Sequence, residues 1–297
     1  MAELRLALSA GAIMPGEGFV AETPMLRTHV GSQPDLFVRW NAIPPDLTAI
    51  DVVVHLHGFS RNGEAMPLSE KVPRSGLDLS RRSRPTLALL PRGNWLRYSW
   101  YDFPALLAGG LDRLVDDALA LFAAALPRAD VTLAPDRLIL TAHSGGGMPA
   151  IDAIASCRLP PDEIHIFDGL YGRDPSTDHP MRGMETVDHW LAQRMSREPA
   201  RPGALRVIYI EQQTGPFSRQ VGRLITKHLA AFDTLEAARL SRRYRVEPSA
   251  VQHARIAERC GPDLLAAADV EFDWSLWVTK DDAKDAPARA LHPARNS

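Results

Sequence analysis

The run Ala142-His143-Ser144-Gly145-Gly146-Gly147 holds the residues of this chain best placed to do chemistry. It follows Arg137 to Ala142 (RLILTA), an apolar stretch that predicts a strand. It precedes a stretch in which Ile151, Ile154 and Ala155 share a helical face, with Pro149 tolerated in the first turn. A serine at so sharp a strand-to-helix turn needs small neighbours, and here it has them. The turn lifts the hydroxyl to the sheet edge. It also brings backbone N–H groups and a helix N-terminus close to any negative charge that develops there. That is the setting for attack by a hydroxyl. Glycine-rich turns also cradle phosphate, but neither G-x-x-x-x-G-K-S/T nor G-x-G-x-x-G is present.

A second strand-like run, Asp51 to Leu56 (DVVVHL), ends in His57-Gly58-Phe59. A strand closed by His-Gly, followed later by small-x-Ser-x-Gly between strand and helix, resembles the α/β-hydrolase superfamily. The resemblance spans most of the chain, from the early strands to the last helix. The family pattern is G-x-S-x-G; Ala142 stands in the first glycine's place and Gly146 in the second's. The resemblance implies Ser144 as nucleophile, an oxyanion hole formed by the N–H groups of Phe59 and Gly145, and no cofactor. It also implies the chain order serine, carboxylate, histidine.

A serine hydroxyl is a poor nucleophile until a base takes its proton, and the base is usually a histidine oriented by a carboxylate. After Ser144 the histidines are His165, His179, His189, His228, His253 and His292. His253, in PSAVQHARI, falls between the last strand and the last helix, where the superfamily carries its catalytic histidine. For the carboxylate there are two candidates, each at a strand end. Asp168 is preferred because Asp168-Gly169 suits a tight exit from a strand; Glu211, ending the next strand, is the alternative.

The aromatic loop after the strand TLALLP, with Trp95, Tyr98 and Trp100, is expected to line a substrate site together with His57. His55 and His57 share a strand face, but no third histidine follows nearby to complete a site, so no metal is expected. Arg92 and Arg97 are candidates for meeting an anionic group or surface arginines without a ligand. The implied reaction is cleavage of a carboxylic ester, or an amide or thioester, through an acyl-enzyme. The alternatives are a non-catalytic binding protein on the same fold and an acyltransferase using the same residues.

These groups must be positioned by a scaffold of 297 residues, 45% apolar and 24% charged, ample for a core without staples. The net charge of −2 argues against nucleic acid or an anionic membrane as partner. A small acyl substrate is the expected partner; the oligomeric state is not legible. Cys157 and Cys260 match no disulfide or zinc framework. Without a clear secretory signal or an apolar run of membrane-spanning length, the expectation is a cytoplasmic protein.

Strands are predicted at 35–41, 51–56, 86–90, 137–142, 163–167, 205–210 and 244–246. Helices are predicted at 111–126, after Ser144, around 184–195, at 217–232, and at 254–268 with a break near Gly261 and Pro262. This alternation predicts an α/β fold: a mostly parallel sheet flanked by helices in three layers. It also places the site beyond the carboxyl ends of the strands. A single domain over 1–280 is expected, with a possible small cap at 172–203 and a disordered tail at 281–297.

Overall fold

The computed structural model describes residues 4, 6–9, 12–59, 66–95, 102–127, 131–171, 182–196, 203–212 and 214–267. The tail at 281–297, the residues Arg97, Tyr98, Trp100 and His179, and 172–181 and 197–202 of the expected cap lie outside these.

A short antiparallel pair, β1 (Leu8–Ser9) and β2 (Ala12–Ile13), precedes the main sheet. The sheet consists of β3 (Gly16–Val20), β4 (Leu36–Trp40), β5 (Ala49–Leu56), β6 (Thr86–Pro91), β7 (Ala134–His143), β8 (Glu163–Phe167), β9 (Ala204–Tyr209) and β10 (Tyr244–Pro248). Its order is β10-β9-β8-β7-β5-β6-β4-β3. Only β4 runs against the others, pairing antiparallel with both β3 and β6. The helices are α1 (Leu68–Lys71), α2 (Gly110–Ala124), α3 (Gly147–Ile154), α4 (Met184–Arg194), α5 (Gly215–Leu229), α6 (Thr234–Ser241) and α7 (Ile256–Ala267). None of the described helices is long and apolar enough to cross a membrane.

The central strands read as unbroken apolar runs because both of their faces are covered. Val52, Val54 and Leu56 of β5 join one core with Leu111 and Leu114 of α2, Ile151 of α3, Trp190 of α4 and Val221 of α5. Val53 points the other way, into a cluster with Ile139, Leu68 of α1 and Leu265 of α7. Phe167 and Ile208 meet Ile256, Cys260 and Leu264 of α7 on that same side. The result is the expected three-layer α/β-hydrolase fold.

Three local outcomes differ from the sequence expectation. α7 runs unbroken through Pro262. An interior proline costs about 3 kcal/mol, but Ile256, Cys260, Leu264 and Leu265 are all buried on this helix, and each buried side chain contributes about 1.5–3 kcal/mol. β1, β2, β3, α1 and α6 were not anticipated: β1, β2 and α1 are only two to four residues long, β3 is an edge strand whose Gly-Glu-Gly start has little strand propensity, and α6 buries no residue. Finally, α4 is the described part of the expected cap, and it belongs to the helical layer. Met184, Val187, Trp190 and Leu191 are buried in the main core, and the Trp190 indole N–H donates to the Pro161 carbonyl (2.9 Å), just before β8 begins. That is the end of the sheet away from Ser144.

Candidate active site

The serine turn is built by backbone strain and close packing together. Residues Ser144–Gly146 make one 3₁₀ turn between β7 and α3. Ser144 has φ of +52°, a left-handed conformation that costs a residue with a Cβ about 1–2 kcal/mol. Gly146 allows that turn to sit on the end of β5, since a Cβ there would lie 2.2 Å from the Leu56 carbonyl oxygen. Strained backbone held this firmly is a pointer to function.

The sheet order explains which groups surround the serine. β8, β7 and β5 are adjacent, so residues following each strand emerge side by side. Asp168 follows β8 and is itself left-handed, with φ of +46°. His253 comes from beyond β10, at the far edge, on a 3₁₀ turn (His253–Arg255) that leads into α7. Its Nε2 lies 2.9 Å from the Ser144 Oγ, and its Nδ1–H donates to the Asp168 Oδ2 at 2.6 Å. The other carboxylate oxygen of Asp168 accepts from the Ile210 N–H (2.9 Å) and from the Thr214 hydroxyl. The structure therefore brings Ser144, His253 and Asp168 into one hydrogen-bonded chain. Glu211 is not part of it: its exposed carboxylate pairs with Arg219.

Asp168 is fully buried. Burial alone would raise its pKa, but the hydrogen bonds from His253, Thr214 and the Ile210 N–H outweigh that and hold the carboxyl below its ordinary range. The imidazoles around it are lowered as well, but for them the lower value favours the neutral form. Burial holds His57 at about 3 and His143 at about 4, and takes His55 well below its ordinary value. These three rings are neutral at pH 7. His253 differs from them in being 31% exposed. His143 supports it from behind, with Nε2–H donating to the His253 carbonyl at 2.8 Å and the two ring centroids 4.9 Å apart.

Gly58 lies against the serine, where a Cβ would come within 2.6 Å of the Ser144 Cβ. Only a glycine admits this approach, and it carries the Gly58–Phe59 peptide to the side of Ser144. His57 does not line a substrate site as expected. It is buried, its Nε2 accepts from the Gly93 N–H (3.1 Å), its Nδ1–H donates to the Gly58 carbonyl (3.0 Å), and its ring packs edge-on against Phe103 at 5.3 Å. His55, likewise in the core, bonds Thr141 at 2.8 Å. Arg92 is turned into the protein: it is buried, with Asp35 as its partner at 2.9 Å and the His29 carbonyl at 2.7 Å. Trp95 is half-buried, its backbone N–H donating to the Val30 carbonyl. Phe59 is partly exposed beside the site, and Gly145 is half-buried in the serine turn.

Four groups escaped the sequence reading. Thr214 braces Asp168, His143 braces His253, Lys71 donates to the Gly58 carbonyl at 2.8 Å, and Tyr171 hydrogen-bonds Ser144. Burial pushes the Tyr171 phenol up to about 12 against that hydrogen bond, so it stays neutral at pH 7. Adjacency to the serine was a signal for His143, and Tyr171 lies three residues beyond Asp168. Nothing local marked Lys71 or Thr214.

No protein-family model matches this chain, and no curated protein does. Among solved structures it is similar to an S-formylglutathione hydrolase from Agrobacterium tumefaciens, at 12% identity and a TM-score of 0.48, covering 89% of this chain and 97% of that one. A feruloyl esterase module from Clostridium thermocellum gives 12% and 0.48, covering 89% and 93%. Esterase B from Lactobacillus rhamnosis gives 11% and 0.45, covering 94% and 92%. Likeness at this level carries no argument about the reaction; the α/β-hydrolase fold of this chain rests on its own strand order.

Proposed function

We propose that this chain is a serine hydrolase that cleaves a carboxylic ester of a small acyl substrate through an acyl-enzyme. The observation that carries the reading is the His253 ring, hydrogen-bonded to the Ser144 hydroxyl on one side and the Asp168 carboxylate on the other. The Asp168 bond keeps the proton on Nδ1, which leaves the Nε2 lone pair to receive the serine proton. Ser144 Oγ attacks the carbonyl carbon while that proton passes to Nε2. The tetrahedral oxyanion faces the N–H groups of Phe59 and Gly145. Nε2–H then protonates the departing alkoxide, and the acyl group remains on Ser144. Water, deprotonated by His253, attacks the acyl carbon, and the acid departs as Nε2–H returns its proton to the Ser144 Oγ. Asp168 stays ionised throughout and stabilises the imidazolium, in keeping with its lowered pKa. The neutral rings of His57 and His143 do not compete for the proton.

The reading is tested by hydrolysis of p-nitrophenyl acetate and butyrate. Purified protein should turn these over, and Ser144→Ala should lose on the order of 10⁶-fold in kcat. Turnover by a folded Ser144→Ala variant at the wild-type rate would overturn the assignment.

A further inference from the structure

Gly58 packs so close to Ser144 that a Cβ would come within 2.6 Å of the Ser144 Cβ, and the peptide that follows it is gripped at its carbonyl. Its carbonyl oxygen accepts from Lys71 Nζ at 2.8 Å and from His57 Nδ1 at 3.0 Å. The only cis bond in the described backbone is Gln33–Pro34, so this peptide is trans. In a trans peptide the C=O and N–H point in opposite directions within one plane. Fixing the Gly58 carbonyl therefore fixes the direction of the Phe59 N–H. Lys71 is 7% exposed at the end of α1, and an ammonium is rarely withdrawn from water without a purpose beyond packing. A cation on a carbonyl oxygen also draws electron density through the amide, making the N–H at the far end a stronger donor.

We infer that Lys71 is a positioning residue of the oxyanion hole. Its ammonium aims the Gly58–Phe59 peptide and polarises it, so that the Phe59 N–H binds the tetrahedral oxyanion more tightly than the ground-state carbonyl. His57, neutral and anchored by the Gly93 N–H, supplies the second hold on the same oxygen. Burial lowers the Lys71 ammonium only to about 8, which leaves it charged at pH 7. The inference rests on the serine-hydrolase reading and adds a part to it.

The test compares wild type with Lys71→Met, which keeps the stem without a donor, and Lys71→Gln, which keeps a donor without charge. Each is assayed for kcat and KM on p-nitrophenyl butyrate, for Ki of a butyl trifluoromethyl ketone, and for melting temperature. The ketone adds to the serine as a hemiketal oxyanion and so reports the hole directly. Loss of a direct oxyanion donor costs about 10²–10³ in kcat; loss of the group that aims one should cost about 10–100-fold. Lys71→Met should show that fall with KM within about threefold, and the ketone should weaken in the same proportion. Lys71→Gln should fall between it and wild type, and decides alone if Lys71→Met does not fold. A folded variant with unchanged kcat and Ki overturns the inference, as does a fall in kcat with unchanged ketone affinity. Two unfolded variants would make Lys71 a structural residue and overturn it as well. The hydrolase reading fails separately, if wild type itself shows no esterase activity that Ser144→Ala removes.

Discussion

Lowering the pH from 7.5 to 5 should remove much of this protein's stability before its carboxylates are protonated in quantity. The perturbation acts on the buried imidazoles around the site. In the folded chain His57 titrates at about 3 and His143 at about 4, both because burial excludes the charged form. In the unfolded chain both return to about 6.5. A depressed folded value means that the unfolded chain binds more protons between the two. Stability is therefore whole above pH 6.5 and is lost as pH falls toward 4. At pH 5, about 1.5 pH units below the unfolded value, each ring withdraws about 2 kcal/mol, or about 4 kcal/mol together. His55 is depressed by burial as well and adds in the same direction. Unfolded Asp and Glu, with pKa values of about 3.9 and 4.3, contribute little at pH 5. Against a total stability of about 5–15 kcal/mol, that loss is large. Urea denaturation followed by tryptophan fluorescence, at both pH values and equal ionic strength, measures it. His143→Gln keeps a donor for the His253 carbonyl but cannot titrate, so its loss should be smaller by about 2 kcal/mol. A wild-type loss below about 1 kcal/mol, or the same loss in His143→Gln, would refute the reasoning.

Three substitutions probe the site from other directions. Asp168→Asn should cut kcat on the order of 10⁴-fold in a protein that still binds substrate, measured with p-nitrophenyl butyrate. Glu211→Gln should stay within about twofold of wild type in the same assay, since its side chain is exposed and tied to Arg219. Gly146→Ala should cost about 3 kcal/mol, read as a lowered urea midpoint, because its methyl would meet backbone oxygens of both Leu56 and His57.

How much of this was legible in the sequence depended on how local each signal was. β8 was anticipated residue for residue, and β5, β6, β7 and β9 within a few, because strands buried on both faces announce themselves as apolar runs. The serine turn was legible because its glycines answer to sterics within a few residues. Asp168 stood out over Glu211 through the glycine that follows it, and the structure puts its carboxylate, not that of Glu211, against His253. The supporting groups were not legible. Lys71 belongs to a four-residue helix and reaches a carbonyl thirteen residues away; Thr214 crosses from the loop after β9 to an acid after β8. Such contacts are fixed by sheet order, which no local pattern carries. His57 was misread for a related reason: a histidine beside a glycine turn looks available until the loop containing Gly93 is seen to occupy its second nitrogen.

The central claim, that His253 takes the proton of Ser144, is met most directly by fluorophosphonate labelling of wild type and His253→Ala, with the modified peptide mapped by mass spectrometry. Wild type should carry a single adduct on Ser144, and a folded His253→Ala protein should label at least about 10³-fold more slowly. An adduct on another residue, or equal labelling rates in the two proteins, would contradict it.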